Sequence, residues 1–473
     1  MKELKKLFNR IIQRANINLR ELEYDVSPFI EDLVPMNQLV KFYAFYGITP
    51  HHLLNFEFMH SSLAGSYFLG NCRITNSILY KSDIRGDELK KKGNVFHYKN
   101  FEISISKDEG IDISDSFLVK TLVHNYSHDP ETLERFFISN TVSTHYANIH
   151  GSPTDGSFLG PFATVDLTTM NDCVIGTFAY VQAGEVGHLN VDPGTVWVRV
   201  PGICNFLYRY PVNKLNQYIF FSPGKAPQGI LIDFVEDRKE AFQRIFNTVN
   251  IEPSVTVPNN ASLDRFAVVK PKTHIGDNVL VAQRAFLQNA WLGKGANAQE
   301  NCYIINSRLE GNNVTAHGAK IIEADLGQNV FVGFNSFLRG RPNGRLAIGK
   351  DCIIMPHTII DIRSPLFIPP GHLVWGLIND AADLEVNSMS LTEFSKIDTG
   401  ISRGAMIFEG SGAAFVTAFR DRIHHILEAN GALFDGIKNK GHAQKNQKIS
   451  FNTIQPYPDG DLEGLYPTIL IKP

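Results

Sequence analysis

Cysteine is scarce: five residues in 473, namely Cys72, Cys173, Cys204, Cys302 and Cys352, widely spread and without a C-x-x-C pair. An odd, dispersed set of this kind argues against a disulfide framework and against a thiolate zinc site. Charge is also sparse, at 20% of residues, and nearly balanced at a net charge of −3. No sequence-wide basic excess exists to hold nucleic acid or an anionic membrane, so neither is expected as a partner. No apolar run approaches the roughly 20 residues of a transmembrane helix, and the first residues lack the apolar core of a secretory signal. The expectation is a soluble, cytoplasmic protein without a membrane span. With 43% hydrophobic residues the chain can bury a large core.

What the sequence has instead is a period. From Ile251 to Leu292 the aliphatic residues Val257, Leu263, Val269, Ile275, Val281 and Leu287 follow one another at steps of six. Four residues after each comes a second inward candidate, Ala261, Ala267, Thr273, Val279 and Ala285, with Trp291 as the odd member. A helix repeats every 3.6 residues and a strand every two, so a step of six fits neither alone and fits a coiled sheet. Three hexads would close one triangular turn of about 18 residues, with the aliphatic side chains stacked inside. Each of those side chains is worth about 2 kcal/mol in transfer energy. A Gly follows the aliphatic residue at Ile275-Gly276, Leu326-Gly327, Val332-Gly333 and Ile348-Gly349, with Val330, Ser336, Cys352 and Thr358 at the small-residue positions.

These hexads resemble the hexapeptide-repeat family, whose members are left-handed parallel β-helices. The stretch Ile368-Pro369-Pro370-Gly371-His372-Leu373-Val374-Trp375-Gly376 is similar to the segment that closes the last coil in many hexapeptide-repeat acyltransferases. The Asn-Pro-Ala-Lys run that commonly follows is replaced by Leu377-Ile378-Asn379-Asp380, which leaves the subfamily open. The fold expected is therefore mainly β, a left-handed parallel β-helix in two hexad-rich segments, with helical N- and C-terminal regions and an aromatic α/β insertion.

Five regions follow along the chain. Residues 1–60 read as a helical cap: Leu4, Leu7, Phe8, Ile11, Ile12 and Ala15 form an apolar stripe, and Met36 to Phe45 reads as a second helix. Both are expected to pack on the protein's own surface. Residues 61–192 read as a first, irregular β-helix segment, with an excursion loop at Asp87 to Gly93 and clear hexads from Leu159-Gly160 onward. Residues 193–250 lose the period and crowd aromatics with prolines, then give a helix with Asp233 at its N-cap and Phe234, Arg238, Ala241, Phe242, Ile245 and Phe246 along it. Residues 251–376 form the regular β-helix, and 377–473 a helical region and extended tail. In that last region Ala413 to Asn430 is the clearest helix, stopped by Gly431. The adjacent His424 and His425 point to different helical faces and make no metal pair.

A β-helix supplies rigid positions and no reaction, so function has to be argued at sites. The family resemblance implies an acyltransferase that moves an acetyl or other acyl group from acyl-CoA to a hydroxyl or amine of a sugar or similar small molecule. It also implies a homotrimer with sites between protomers, which the tail could wrap. Histidine suits the base of such a reaction, because it can take a proton near neutral pH and release it again. His317, in Asn312-Asn313-Val314-Thr315-Ala316-His317-Gly318, is the first candidate and His357 the second. Taken alone, each reads more readily as a corner histidine held by hydrogen bonds.

A second constellation is His128, His145 and His150, spaced H-x16-H-x4-H. It resembles the zinc ligands of gamma-class carbonic anhydrases, which share this type of coil. Three neutral imidazoles would leave one position on zinc for a water that ionises near pH 7. The chain between His128 and His145 reads more like a helical turn than a hexad, and His124 is an alternative first ligand. A third possibility is a non-catalytic scaffold or assembly subunit. A fused sugar nucleotidyltransferase is disfavoured, since no Gly-rich phosphate-binding opening precedes the first helix.

Overall fold

The structure, a computed structural model, describes residues 2–41, 43–98, 100–124, 133–246, 254–445, 449–454 and 465–472. The chain forms two compact units, one of Met1–Thr195, Val212–Ile230 and Ile449–Pro473, the other of Val196–Pro211 and Leu231–Lys448. Short parallel strands dominate both. Among the described residues no helix is long and apolar enough to cross a membrane.

In the second unit the strands from Ser262 to Ile378 lie in three parallel sheets, each pairing with the one three places further along the chain. That order is a coil of three sides. One side stacks Leu263, Val281, Ala298, Thr315, Val332, Ile354 and Val374 in register. These side chains alternate with outward ones, and the inward set from all three sides forms a single buried column.

Both sequence signatures have a steric cause. The Gly after the aliphatic residue sits where the next coil crosses closely: a Cβ at Gly333 would lie 2.4 Å from Pro356 N, and one at Gly349 2.4 Å from Pro370 N. The corners are turned by residues in the left-handed region, many of them asparagines, such as Asn289, Asn301, Asn306 and Asn312. Asparagine tolerates that conformation better than most residues. Asn289 also donates to Asn306 Oδ1 (3.1 Å), and Asn306 to Glu323 Oε1 (2.6 Å), each bond spanning 17 residues.

The coil is therefore shorter than 18 residues over much of its length, and the strict six-residue step ends at Leu287. The next inward residue is Leu292, five positions on, because Asn289 (φ 47°) makes the corner tight. Ala290 takes the small-residue position expected of Trp291, and Trp291 turns outward. There it stacks on His274, with ring centroids 5.3 Å apart, and lies under the Arg308 guanidinium at 4.3 Å.

The first unit repeats the scheme with a 16-residue step from Phe68 to Ile84 and again in each step from Ile149 to Val181, and longer steps from Ile84 to Val123 and Val123 to Ile149. Phe68, Ile84, Val123, Ile149, Val165 and Val181 stack in register inside one side. The loop that opens at Asp87 carries a two-stranded hairpin, Val95–Tyr98 with Phe101–Ser104. A second side runs Ile78, Phe117, Val142, Phe158 and Val174 along its outer face. An outward apolar row needs a cover, and the helix Lys2–Asn18 supplies it: its buried Leu4, Leu7, Phe8, Ile11, Ile12 and Ala15 join that row in one cluster. Phe8 packs edge-on against Phe117 at 5.2 Å.

Two local expectations need correction. The stretch from Met36 is a single helical turn, Met36–Leu39, because Ala44–Ile48 is taken as a strand by pairing with Ser66–Leu69. Asp233 is not an N-cap: the helix Ile230–Glu236 is already under way, launched by the turn at Gly229 (φ 121°), and a second helix, Lys239–Phe246, follows. Ser450–Ile454 and Tyr466–Ile471 pair antiparallel with Ala44–Ile48 and Asn55–Ser61, covering strand edges that would otherwise be open. The long C-terminal helix, Gly412–Ala429, is capped by Ser411 and ends before Gly431 (φ 79°), as its sequence predicts.

Candidate functional site

In the second unit the corner that follows the Leu263–Val374 side carries the polar groups. Backbone bonds tie successive coils there: Gly318 N–H donates to Glu300 O, Asn335 N–H to His317 O, and His357 N–H to Phe334 O. Glu300, His317 and Phe334 thus occupy one stacked position, and Gly318, Asn335 and His357 the next. His317 and His357 are consequently not equivalent corner residues.

His317 is 2% exposed, and its Nδ1 lies 2.9 Å from Glu300 Oε2. Its ring packs against Phe334 at 5.2 Å. A buried imidazole beside a buried carboxylate is an arrangement that can hold a proton and return it. His357 is fully buried and in the left-handed region (φ 57°). Tyr210 Oη donates to its carbonyl at 2.6 Å, which locks this corner.

Lys320 stands two residues beyond Gly318, 1% exposed, between Tyr303 and Phe337 on neighbouring strands. Burial pushes its ammonium down to about 7, against a smaller opposing effect from Cys302. Burial also raises the Cys302 thiol and the Tyr303 hydroxyl above their usual ranges.

In the first unit the outer face of the Phe68–Val181 side is polar yet buried. Arg85, His124, His150 and Asp166 follow one another in register on adjacent strands. His150 Nδ1 is 2.8 Å from Asp166 Oδ1, and Tyr180 Oη donates to Asp166 Oδ2 at 2.5 Å. The rings of His124 and His150 meet edge to face at 5.3 Å.

Of the proposed zinc set, His128 lies outside the described residues. His145 sits in a corner rather than on the strand that carries His150, and its carbonyl accepts the Phe162 N–H. Among the described residues no metal-sized grouping of three His, Cys, Asp or Glu side chains includes His145. The imidazole beside His150 is His124.

Glu300, Lys320, Asp166 and Tyr180 went unremarked in the sequence. The signal that could have found two of them is one coil length: Asp166 follows His150 by 16 residues, and Glu300 precedes His317 by the 17-residue step of the second unit.

A family model described as "Hexapeptide repeat including loop" matches residues 101–223. No curated protein matches the chain at a significant level. A crystal structure from Desulfovibrio desulfuricans G20, provisionally named an acetyltransferase, is 52% identical over all of this chain and 99% of its own, with a TM-score of 0.94. A provisionally named acetyltransferase of Bacillus cereus is 10% identical over 35% of this chain and 89% of its own, with a TM-score of 0.14. A UDP-N-acetylglucosamine acyltransferase from Campylobacter jejuni is 11% identical over 70% and 89%, at 0.15. The last two superpose too poorly to bear on this fold.

Proposed function

Because the chain belongs to the hexapeptide-repeat superfamily, we propose that it is an acyltransferase, moving an acetyl or related acyl group from acyl-CoA to a hydroxyl or amine of a sugar-like small molecule. The Desulfovibrio relative supports the reaction class through its provisional name. The observation that carries the residue assignment is the His317–Glu300 pair, buried at one corner with 2.9 Å between Nδ1 and the carboxylate. His357 is kept as a second candidate, with its corner fixed by Tyr210.

In this reading His317 takes the proton from the acceptor's O–H or N–H through Nε2 as the acceptor attacks the thioester carbonyl carbon. The new C–O or C–N bond forms, the C–S bond breaks, and the proton passes to the departing thiolate, so the base is regenerated. Glu300, with Oε2 2.9 Å from Nδ1, offsets the positive charge His317 acquires. A left-handed coil and a homotrimer, with acyl-CoA lying between protomers, belong to the same reading.

The test is CoA release from acetyl-CoA across a panel of sugar and amine acceptors. His317→Ala should cut kcat by about 100-fold or more, and Glu300→Gln by about 10-fold or more. Acetyl-CoA binding and thermal stability should stay close to wild type in both. Full turnover in folded His317→Ala protein would remove His317 from the role of base, and loss confined to His357→Ala would transfer the role there.

A further inference from the structure

We infer that His124 and His150 form a binding site for a divalent transition metal in the first unit. The parallel register sets the two residues directly opposite on adjacent strands, so their spacing is imposed by the backbone. Their rings stand edge to face at 71°, with ring nitrogens within 4.8 Å of each other, a separation that one ion between them spans with a small adjustment. Both are more than nine-tenths buried, at 7% and 8% exposure.

The surroundings have the chemistry of an outer coordination shell. Asp166 faces His150 Nδ1 at 2.8 Å, which fixes the ring. Tyr180 holds the other oxygen of Asp166. Asp166 is itself fully buried, and a cation on His150 would offset its charge. Around His124 Nε2 stand Asp87 Oδ1 at 3.5 Å and Glu88 Oε2 at 3.9 Å. Ligands of one tetrahedral zinc ion lie roughly 3.3 Å apart, so this acidic edge, with water, supplies oxygen donors for the remaining positions. Arg85 pairs with Asp87 through Nη2 at 2.6 Å and limits the negative charge there. Imidazole donors with few carboxylates favour zinc, cobalt or nickel over magnesium or calcium.

The experiment uses full-length protein stripped with a chelator, titrated with zinc alone in competition with a chromophoric indicator, and with cobalt for its visible spectrum. About one zinc per chain is expected, with a cobalt spectrum characteristic of imidazole ligation. His124→Ala and His150→Ala should each abolish binding, Asp166→Asn should weaken it about 10- to 100-fold, and His145→Ala should leave it unchanged. Should the histidine variants fold poorly, wild-type protein alone still decides: saturating zinc must raise its Tm. No saturable zinc and no rise in Tm, or wild-type affinity in either folded histidine variant, would overturn the assignment. None of these readouts depends on acyl transfer.

Discussion

Lys320 Nζ donates to the carbonyl of Gly318 at 2.5 Å, which ties a nearly solvent-free amine to the corner that holds His317. Burial lowers this group to about 7, whereas the same lysine in an unfolded chain titrates near 10.4. Between those values the unfolded chain binds one proton more than the folded one, so stability rises with pH across that window. Below the window both states are charged and the full penalty of burying the charge applies. Lys320→Met should therefore be more stable than wild type at about pH 6.5, and the difference should shrink by roughly 1.4 kcal/mol per pH unit towards about pH 9.5. Denaturant midpoints at the two pH values check this, and a difference that does not change with pH would contradict it.

The coil-to-coil contact at Gly333 gives a second expectation. A methyl group there would meet Pro356 N at 2.4 Å and Pro356 Cα at 2.6 Å, both backbone atoms that cannot swing away. Gly333→Ala should cost about 2 kcal/mol or more, through forced separation of two coils. Gly371 makes the contrast: nothing lies within 4 Å of its added Cβ, and only its φ of +66° opposes a side chain. Gly371→Ala should cost about 1 kcal/mol. Thermal melts of the two variants side by side separate steric from conformational cost, and equal losses would sink the steric account of the hexad glycine.

The aliphatic hexads were legible because each inward residue meets its equivalent in the next coil, and the apolar stripe of Lys2–Asn18 was legible because Ile78, Phe117 and Val142 leave an apolar row to be covered. Coil length was not. An asparagine that turns a tight corner, such as Asn289, has the same composition as one that turns a wide corner, and a single residue's difference moved Trp291 from the expected interior to the surface. The sites suffered most from this. Glu300 and Asp166 reach their histidines from one coil away, so neither can be paired with His317 or His150 until the step is known to be 17 or 16 residues. His145, from the histidine spacing that suggested zinc, lies on a corner, while His124, directly opposite His150 on the adjacent strand, supplies the neighbouring ring. The helix after Gly229 began earlier than expected because the turn there, rather than a side-chain cap, sets its first residue.

Asp361 offers a pH-dependent test on the acid side. Its side chain is 8% exposed and accepts from Arg339 Nε at 2.9 Å and Nη2 at 2.5 Å, and from Arg341 Nη2 at 2.8 Å. Burial pushes its carboxyl up, but the hydrogen bonds and charges of Arg339 and then Arg341 outweigh burial and hold it below the usual carboxylate value. A group depressed in the folded state stabilises fully above its unfolded value, near 3.9, and loses that contribution as pH falls through the folded value. The arginines are partly exposed, at 27% and 34%, so water screens them and the pair is worth less than a fully buried one. Asp361→Asn should cost about 1 to 3 kcal/mol near neutral pH. The deficit should narrow below about pH 4 as the wild-type carboxylate itself takes up a proton. Urea unfolding of both proteins at neutral pH and at successively lower pH measures the difference directly. A deficit that stays constant, or widens, on acidification would show that Asp361 acts by packing rather than by its charge on Arg339 and Arg341.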